Sequence, residues 1–114
     1  MNLNPKSQHG AQILAPQERI DHASAEAFST ALTPYLANCK AGGTPVVLDF
    51  SGVEYISSLG LRVLMLAARQ VKGQNGSIVI AGLQPNVHEV FEISRFNLIY
   101  KVFDTFDAAI AEVA

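Results

Sequence analysis

Val46-Val47-Leu48-Asp49-Phe50-Ser51-Gly52-Val53-Glu54-Tyr55-Ile56-Ser57-Ser58-Leu59-Gly60-Leu61-Arg62-Val63-Leu64 holds an apolar strand, a serine pair and the opening of a helix in one run. Val46 to Phe50 is β-branched and mostly apolar, the character of a strand covered on both faces in the middle of a sheet. After Ser58, the apolar residues Leu61, Val63, Leu64, Leu66, Ala67 and Val71 precede Gly73 and Asn75-Gly76, which predicts a helix that stops there. Ser57 and Ser58 therefore stand at a helix N-terminus, where unpaired backbone N–H groups and the positive end of the helix dipole favour added negative charge.

Working outward, Ala11 to Ala15 reads as a short strand and Glu18-Arg19-Ile20 leads to Asp21, while residues 1–10, with Pro5 and Gly10, read as a loose arm. Ala25, Phe28, Leu32, Tyr35, Leu36 and Cys39 recur at helical spacing between Ser24 and Lys40. Ser24 is the expected N-cap, Gly42-Gly43 the stop, and Pro34 is expected to kink or split the helix. Ser77 to Ala81 predicts a second buried strand. Pro85 opens a helix that runs to about Ser94, with Val87, Val90, Phe91 and Ile93 as its apolar side. Ile99 to Phe103 reads as a last strand, and Asp104 is expected to cap a terminal helix that has Asp107 in its first turn.

Strands alternating with helices predict one α/β domain over residues 11–114 after the arm of residues 1–10. Its sheet is expected to be mostly parallel, with an antiparallel edge supplied by the N-terminal strand and about four helices. The serine turn is expected to follow the middle strand, at the sheet end where such folds place ligands or partners.

Composition narrows the function. A hydrophobic fraction of 49% over 114 residues supports a single packed core. The longest apolar run, Leu59 to Ala68, is broken by Gly60 and Arg62 and is far short of the roughly 20 residues of a bilayer span. Met1 to Lys6 has no signal-like apolar core, and the one cysteine, Cys39, forms no internal disulfide, so a reducing cytoplasm is the expected location. A net charge of −2 without a basic stripe gives nucleic acid little reason to bind.

The serine turn admits three readings. One hydroxyl caps the helix by accepting an N–H from two or three residues ahead. Alternatively, Ser58 is a hydrolase nucleophile, since Ser58-Leu59-Gly60 matches half of the G-x-S-x-G elbow. Against this, Ile56 stands where the first elbow glycine belongs, the chain is small for a hydrolase core, and His88 is the only downstream histidine, with no acid in the required order. Thirdly, Ser58 accepts a phosphate.

The central block, together with Gly76-Ser77-Ile78-Val79-Ile80-Ala81-Gly82-Leu83 and Val90-Phe91-Glu92-Ile93-Ser94, resembles the STAS family of anti-sigma factor antagonists. The likeness runs from about Ile13 to Ala111. Arg19-Ile20-Asp21 is similar to that family's Gly-x-Leu-Asp motif, with Glu18 where the glycine usually stands. The family's usual Asp-Ser-(Ser or Thr)-Gly-Leu has Ser57 here in place of the aspartate and Leu59 in place of the second hydroxyl residue. The resemblance implies a non-enzymatic binding module that docks on an anti-sigma factor with serine kinase activity. It implies Ser58, or less favourably Ser57, as the phosphorylated residue, and a partner surface of Asp21, Ser57, Ser58, Leu59, Gly60 and Arg62. A STAS accessory of a membrane transporter or lipid-transport complex, without a phosphorylation cycle, is the alternative, and the oligomeric state is open between monomer and weak dimer.

Elsewhere the residues read as structural. Asp21 is expected to cap the first helix or to border the partner surface. His9, His22 and His88 are widely spaced and lack metal-site neighbours, so surface or capping roles and no metal are expected. Cys39 reads as a small core residue, Met65 and Leu66 as core rather than partner contacts, and Gly60 as the point of a close helix approach. Neither the G-x-G-x-x-G nor the P-loop spacing occurs, so no cofactor is expected.

Overall fold

The run that starts at Val46 is central because both of its faces are covered: Val46, Val47 and Leu48 are each 0% exposed. The computed structural model describes residues 1–113. Its strands are β1 (Lys6–Gln8), β2 (Ala11–Leu14), β3 (Glu18–Ile20), β4 (Val46–Asp49), β5 (Val53–Ile56), β6 (Ile78–Ala81) and β7 (Val102–Phe103). Its helices are α1 (Ala25–Ala37), α2 (Ser58–Gly73), α3 (Pro85–Ile93) and α4 (Phe106–Val113), with a short 3-10 turn over Phe96–Leu98. The main sheet has the order β1-β2-β4-β6-β7; β1 is antiparallel to β2 and the other pairs are parallel. A separate two-stranded sheet pairs β3 with β5.

Strand alternation divides the core. Val46 and Leu48 join Phe28, Leu32, Leu64 and Phe91 in the larger cluster under α1, α2 and α3. Val47, on the opposite face, joins Ile13, Val79, Ala81, Ala109 and Ile110 under α4. A sheet clad by helices on both sides is the α/β arrangement expected from the sequence pattern. Among the described residues no helix is long and apolar enough to cross a membrane.

The structure corrects several local expectations. The antiparallel edge is β1, inside the expected loose arm, whereas Ala11–Leu14 pairs parallel to β4. Leu3 is also buried, and its carbonyl accepts from the Ala15 N–H at 2.6 Å, which holds the chain start to the sheet. Helix α1 continues through Pro34. Pro34 and Thr30, whose carbonyl loses its usual i+4 donor, both lie on the exposed side, where water can satisfy that oxygen. Ser24 makes no side-chain cap to α1. Thr105, not Asp104, caps α4, its Oγ1 accepting from the Ala108 N–H at 3.1 Å. Ile93 turns outward at 76% exposed, leaving Val87 and Phe91 as the buried residues of α3. The last strand shortens to two residues because Tyr100 is drawn into the core, where its hydroxyl donates to the Leu64 carbonyl at 2.7 Å. Burial pushes the Tyr100 phenol above its ordinary pKa, so it stays a donor.

Glu18 opens β3 with φ +65°, in the left-handed region that favours glycine, and its N–H donates to the Gly52 carbonyl at 2.7 Å. The β3–β5 register shifts at this residue. A residue without Cβ relieves the strain and keeps the backbone hydrogen bond. Glu18→Gly is therefore expected to raise stability by about 1 kcal/mol in urea unfolding, and Glu18→Val to lower it by about 1–2 kcal/mol.

Candidate functional site

The site grows from the small sheet. Arg19 is in register with Tyr55 and Ile20 with Ile56, and the guanidinium of Arg19 lies 4.3 Å from the centre of the Tyr55 ring. The ladder continues one residue beyond the strands, where the Ser57 N–H donates to the Ile20 carbonyl at 2.8 Å. The sequence pattern predicts no strand between the central one and the serine turn, where the structure has β5. Val53 and Ile56 face inward and Glu54 and Tyr55 outward, so it has neither a continuous apolar run nor strict alternation as a sequence signal. The turn thus follows β5, at the end of the small sheet, and not the middle strand of the large one.

The two serines differ in kind. Ser57 is 9% exposed, has extended backbone, and its Oγ accepts from the Gly60 N–H at 3.1 Å, so it is the N-cap of α2. Ser58 is the first helical residue, exposed, and its hydroxyl has no hydrogen-bond partner among the described residues. Of the three readings of the turn, capping is met by Ser57 alone. Leu59 is half-buried, and Arg62, one turn along from Ser58, is exposed.

Gly60 explains how α2 starts so close to β3. A Cβ built on it would lie 2.8 Å from Ile56 Cγ1, 2.9 Å from Ile20 Cγ2 and 3.2 Å from the Ile20 carbonyl oxygen. The close approach expected from the sequence is thus an approach to the strand pair itself, and Ile20 meets both Ser57 and Gly60.

Asp21 follows Ile20 and completes this edge. Its Oδ1 accepts from the Ser24 N–H at 3.0 Å, and Ser24 Oγ accepts from the Asp21 N–H at 2.9 Å. Ser24 thus holds the expected N-cap position of α1 without a side-chain cap, and Asp21, also expected to cap this helix, braces its entry through Ser24. The hydrogen bonds from Ser24, backbone first, hold the Asp21 carboxyl below its ordinary pKa, so it is ionised at neutral pH. On the other side of the turn, the Gln84 side chain donates to the Ser51 carbonyl at 2.9 Å and the Asn86 amide donates to the Glu54 carbonyl. These contacts fix the start of α3 beside β5, a relation that no short-range sequence pattern announces.

Chemically, the turn offers a free hydroxyl at the positive end of a helix with no acidic residue in its first turn. His88, the sequence's only base for a nucleophile reading, faces Glu92 of its own helix at 3.1 Å. Cys39 is buried, its thiol donates to the Ser77 carbonyl at 3.1 Å, and burial raises its pKa. Among the described residues no group of three or more His, Cys, Asp or Glu is placed to hold a metal ion.

The family model for the STAS domain matches residues 2–109. The chain belongs to the STAS domain family. A relative of this STAS domain, BtrV of Bordetella bronchiseptica, is named as a candidate anti-sigma factor antagonist and is 39% identical over 97% of this chain and 93% of its own. Among solved structures, an anti-sigma factor antagonist candidate from Thermotoga maritima superposes with a TM-score of 0.85 at 23% identity, covering 96% of this chain and 92% of that one. The Bacillus cell fate determinant SpoIIAA in its phosphorylated form superposes with a TM-score of 0.69 at 15% identity, covering 96% of this chain and 97% of that one. At these identities the two structures share the fold with this STAS domain.

Two glycines of α2 give a test of the junction with opposite signs. Gly60→Ala is expected to destabilise by about 1–3 kcal/mol, because the strand-pair contacts outweigh the helix propensity gained. Gly73→Ala, where a Cβ meets nothing within 4 Å, is expected to stabilise by up to about 1 kcal/mol. Chemical denaturation of both variants beside the parent chain checks the pair.

Proposed function

We propose that this STAS domain is an anti-sigma factor antagonist that binds an anti-sigma factor with serine kinase activity, frees the sigma factor, and is switched off by phosphorylation of Ser58. The observation that carries the reading is the division of labour in the serine pair: Ser57 is committed to the helix cap, and Ser58 presents an exposed, unpartnered hydroxyl. The relation to BtrV supports the antagonist class. The docking surface is the joined edge of Asp21, Ser57, Ser58, Leu59 and Gly60, with Arg62 as a polar contact one turn along the helix.

The chemical step belongs to the partner. Ser58 Oγ attacks the γ-phosphorus of ATP, ADP leaves, and the hydroxyl proton passes to a base of the kinase. The product has about −1.5 to −2 charge at a helix start, which stabilises an exposed anion by roughly 0.3–1 kcal/mol, so the fold accepts it. At an interface the same charge meets desolvation and repulsion. A mispaired buried charge typically costs about 2–5 kcal/mol, roughly 30-fold to several thousand-fold in affinity, enough to break a regulatory complex. Ser57 in the position of the family's usual aspartate keeps a cap but contributes no carboxylate, which removes one source of repulsion against the phosphate. A kinase partner that uses ATP implies the cytoplasm as the place of action.

Intact-protein and peptide mass spectrometry after incubation with ATP and the cognate anti-sigma kinase tests the proposal. One added phosphate on Ser58, absent from Ser58→Ala, is the expected result. Phosphate on Ser57, or stable binding with no phosphate on either serine, contradicts the switch. Recovery of a transporter subunit as the stable partner, with no anti-sigma factor, contradicts the antagonist assignment.

A further inference from the structure

A second feature lies at the other end of α2. The last turns of that helix, the start of β6 and the segment from Leu98 to Lys101 enclose a groove of about 640 Å³, within the range of about 300–1,000 Å³ typical of ligand clefts. Arg69 on its wall is about 16 Å along the helix from Ser58, so the groove is separate from the serine turn.

Its lining combines two chemistries. Met65, Ala68, Ile78 and Ile99 supply apolar wall, and Leu98 stands on the rim at 78% exposed. Around this apolar strip stand Arg69, Lys72 and Lys101. Lys101 Nζ is paired with Glu112 at 2.6 Å, so those two charges cancel. Arg69 and Lys72 share a helix face at i, i+3 spacing and pair with no carboxylate among the described residues. The groove therefore has two uncompensated cations beside exposed apolar surface. It is also fixed in shape: the Tyr100 hydroxyl ties the Leu98–Lys101 segment to the Leu64 carbonyl, one turn before Ala68.

We propose that this groove binds a small amphiphilic anion, with a single apolar chain along Met65, Ala68 and Ile78 and a carboxylate or phosphate head between Arg69 and Lys72. A concave, apolar strip suits a single chain better than a flat bilayer face, which would leave the cavity unfilled. The two free cations select an anionic head over a neutral one.

Titration calorimetry of the full chain with dodecanoate and dodecyl phosphate, both below their micelle concentrations, tests this. Each is expected to bind at one site per chain, with dodecanol at least about tenfold weaker. The Arg69→Gln/Lys72→Gln pair is expected to lower the affinity for both anions by at least about tenfold while its thermal midpoint stays at the parent value. Absence of saturable binding, equal binding of dodecanol, or unchanged affinity in the double variant overturns the proposal. Association with phosphatidylglycerol vesicles but not with the free anions assigns the patch to a membrane surface and overturns it as well.

Discussion

The hydrogen bond from the Ser57 N–H to the Ile20 carbonyl is the joint on which the candidate site depends. It extends the β3–β5 ladder by one step, and that step sets where α2 begins. Ser57 then spends its side chain on Gly60, and Gly60 in turn is confined by the Ile20 and Ile56 side chains. Four residues thus constrain one another within a few ångströms, and the hydroxyl left over is that of Ser58. Its availability is a consequence of packing: the neighbour's hydroxyl is buried and used.

This arrangement separates fold from function. The core below the sheet is built from Val46, Leu48, Phe28 and Leu64, none of which reaches the serine turn's exposed side. Charge added to Ser58 enters water at the favourable end of a helix dipole, so its effect inside the domain is small. In the proposed switch its effect on a docked partner is large, because at an interface the added charge would lose water and meet desolvation and repulsion. Under that proposal the module needs no conformational change to alter its binding.

Much of this was legible in the sequence, and the limits have physical causes. The central strand, both neighbouring helices and the close approach at Gly60 followed from long-range hydrophobic period and a single glycine, signals that survive without tertiary context. Strand β5 and the Lys6–Gln8 edge escape the sequence pattern because neither holds an apolar run or a strict alternation, Lys6–Gln8 being polar and β5 exposing two consecutive residues, so each gains its structure from pairing. The cap of α4 falls one residue past Asp104, on Thr105, and Ser24 holds the N-cap position of α1 without a side-chain cap, because several Ser, Thr and Asp residues stand near each helix start and only the backbone geometry selects which side chain bonds. Pro34 predicts a kinked or split helix, yet Thr30 and Pro34 both lie on the exposed side of α1, a fact of burial that sequence spacing alone does not contain. The strand-to-helix pattern places the serine pair at the helix start, while the assignment of one hydroxyl to the cap and the other to solvent required the structure.

The central claim is that charge at Ser58 acts on binding and leaves the fold intact. Its most direct test measures the anti-sigma partner's affinity and the thermal midpoint together, for the parent chain, Ser58→Ala and Ser58→Asp. The account predicts midpoints within about 4 °C of one another, Ser58→Ala binding like the parent, and Ser58→Asp binding at least about 30-fold more weakly. Full affinity in Ser58→Asp, or a loss of affinity matched by unfolding, would contradict it.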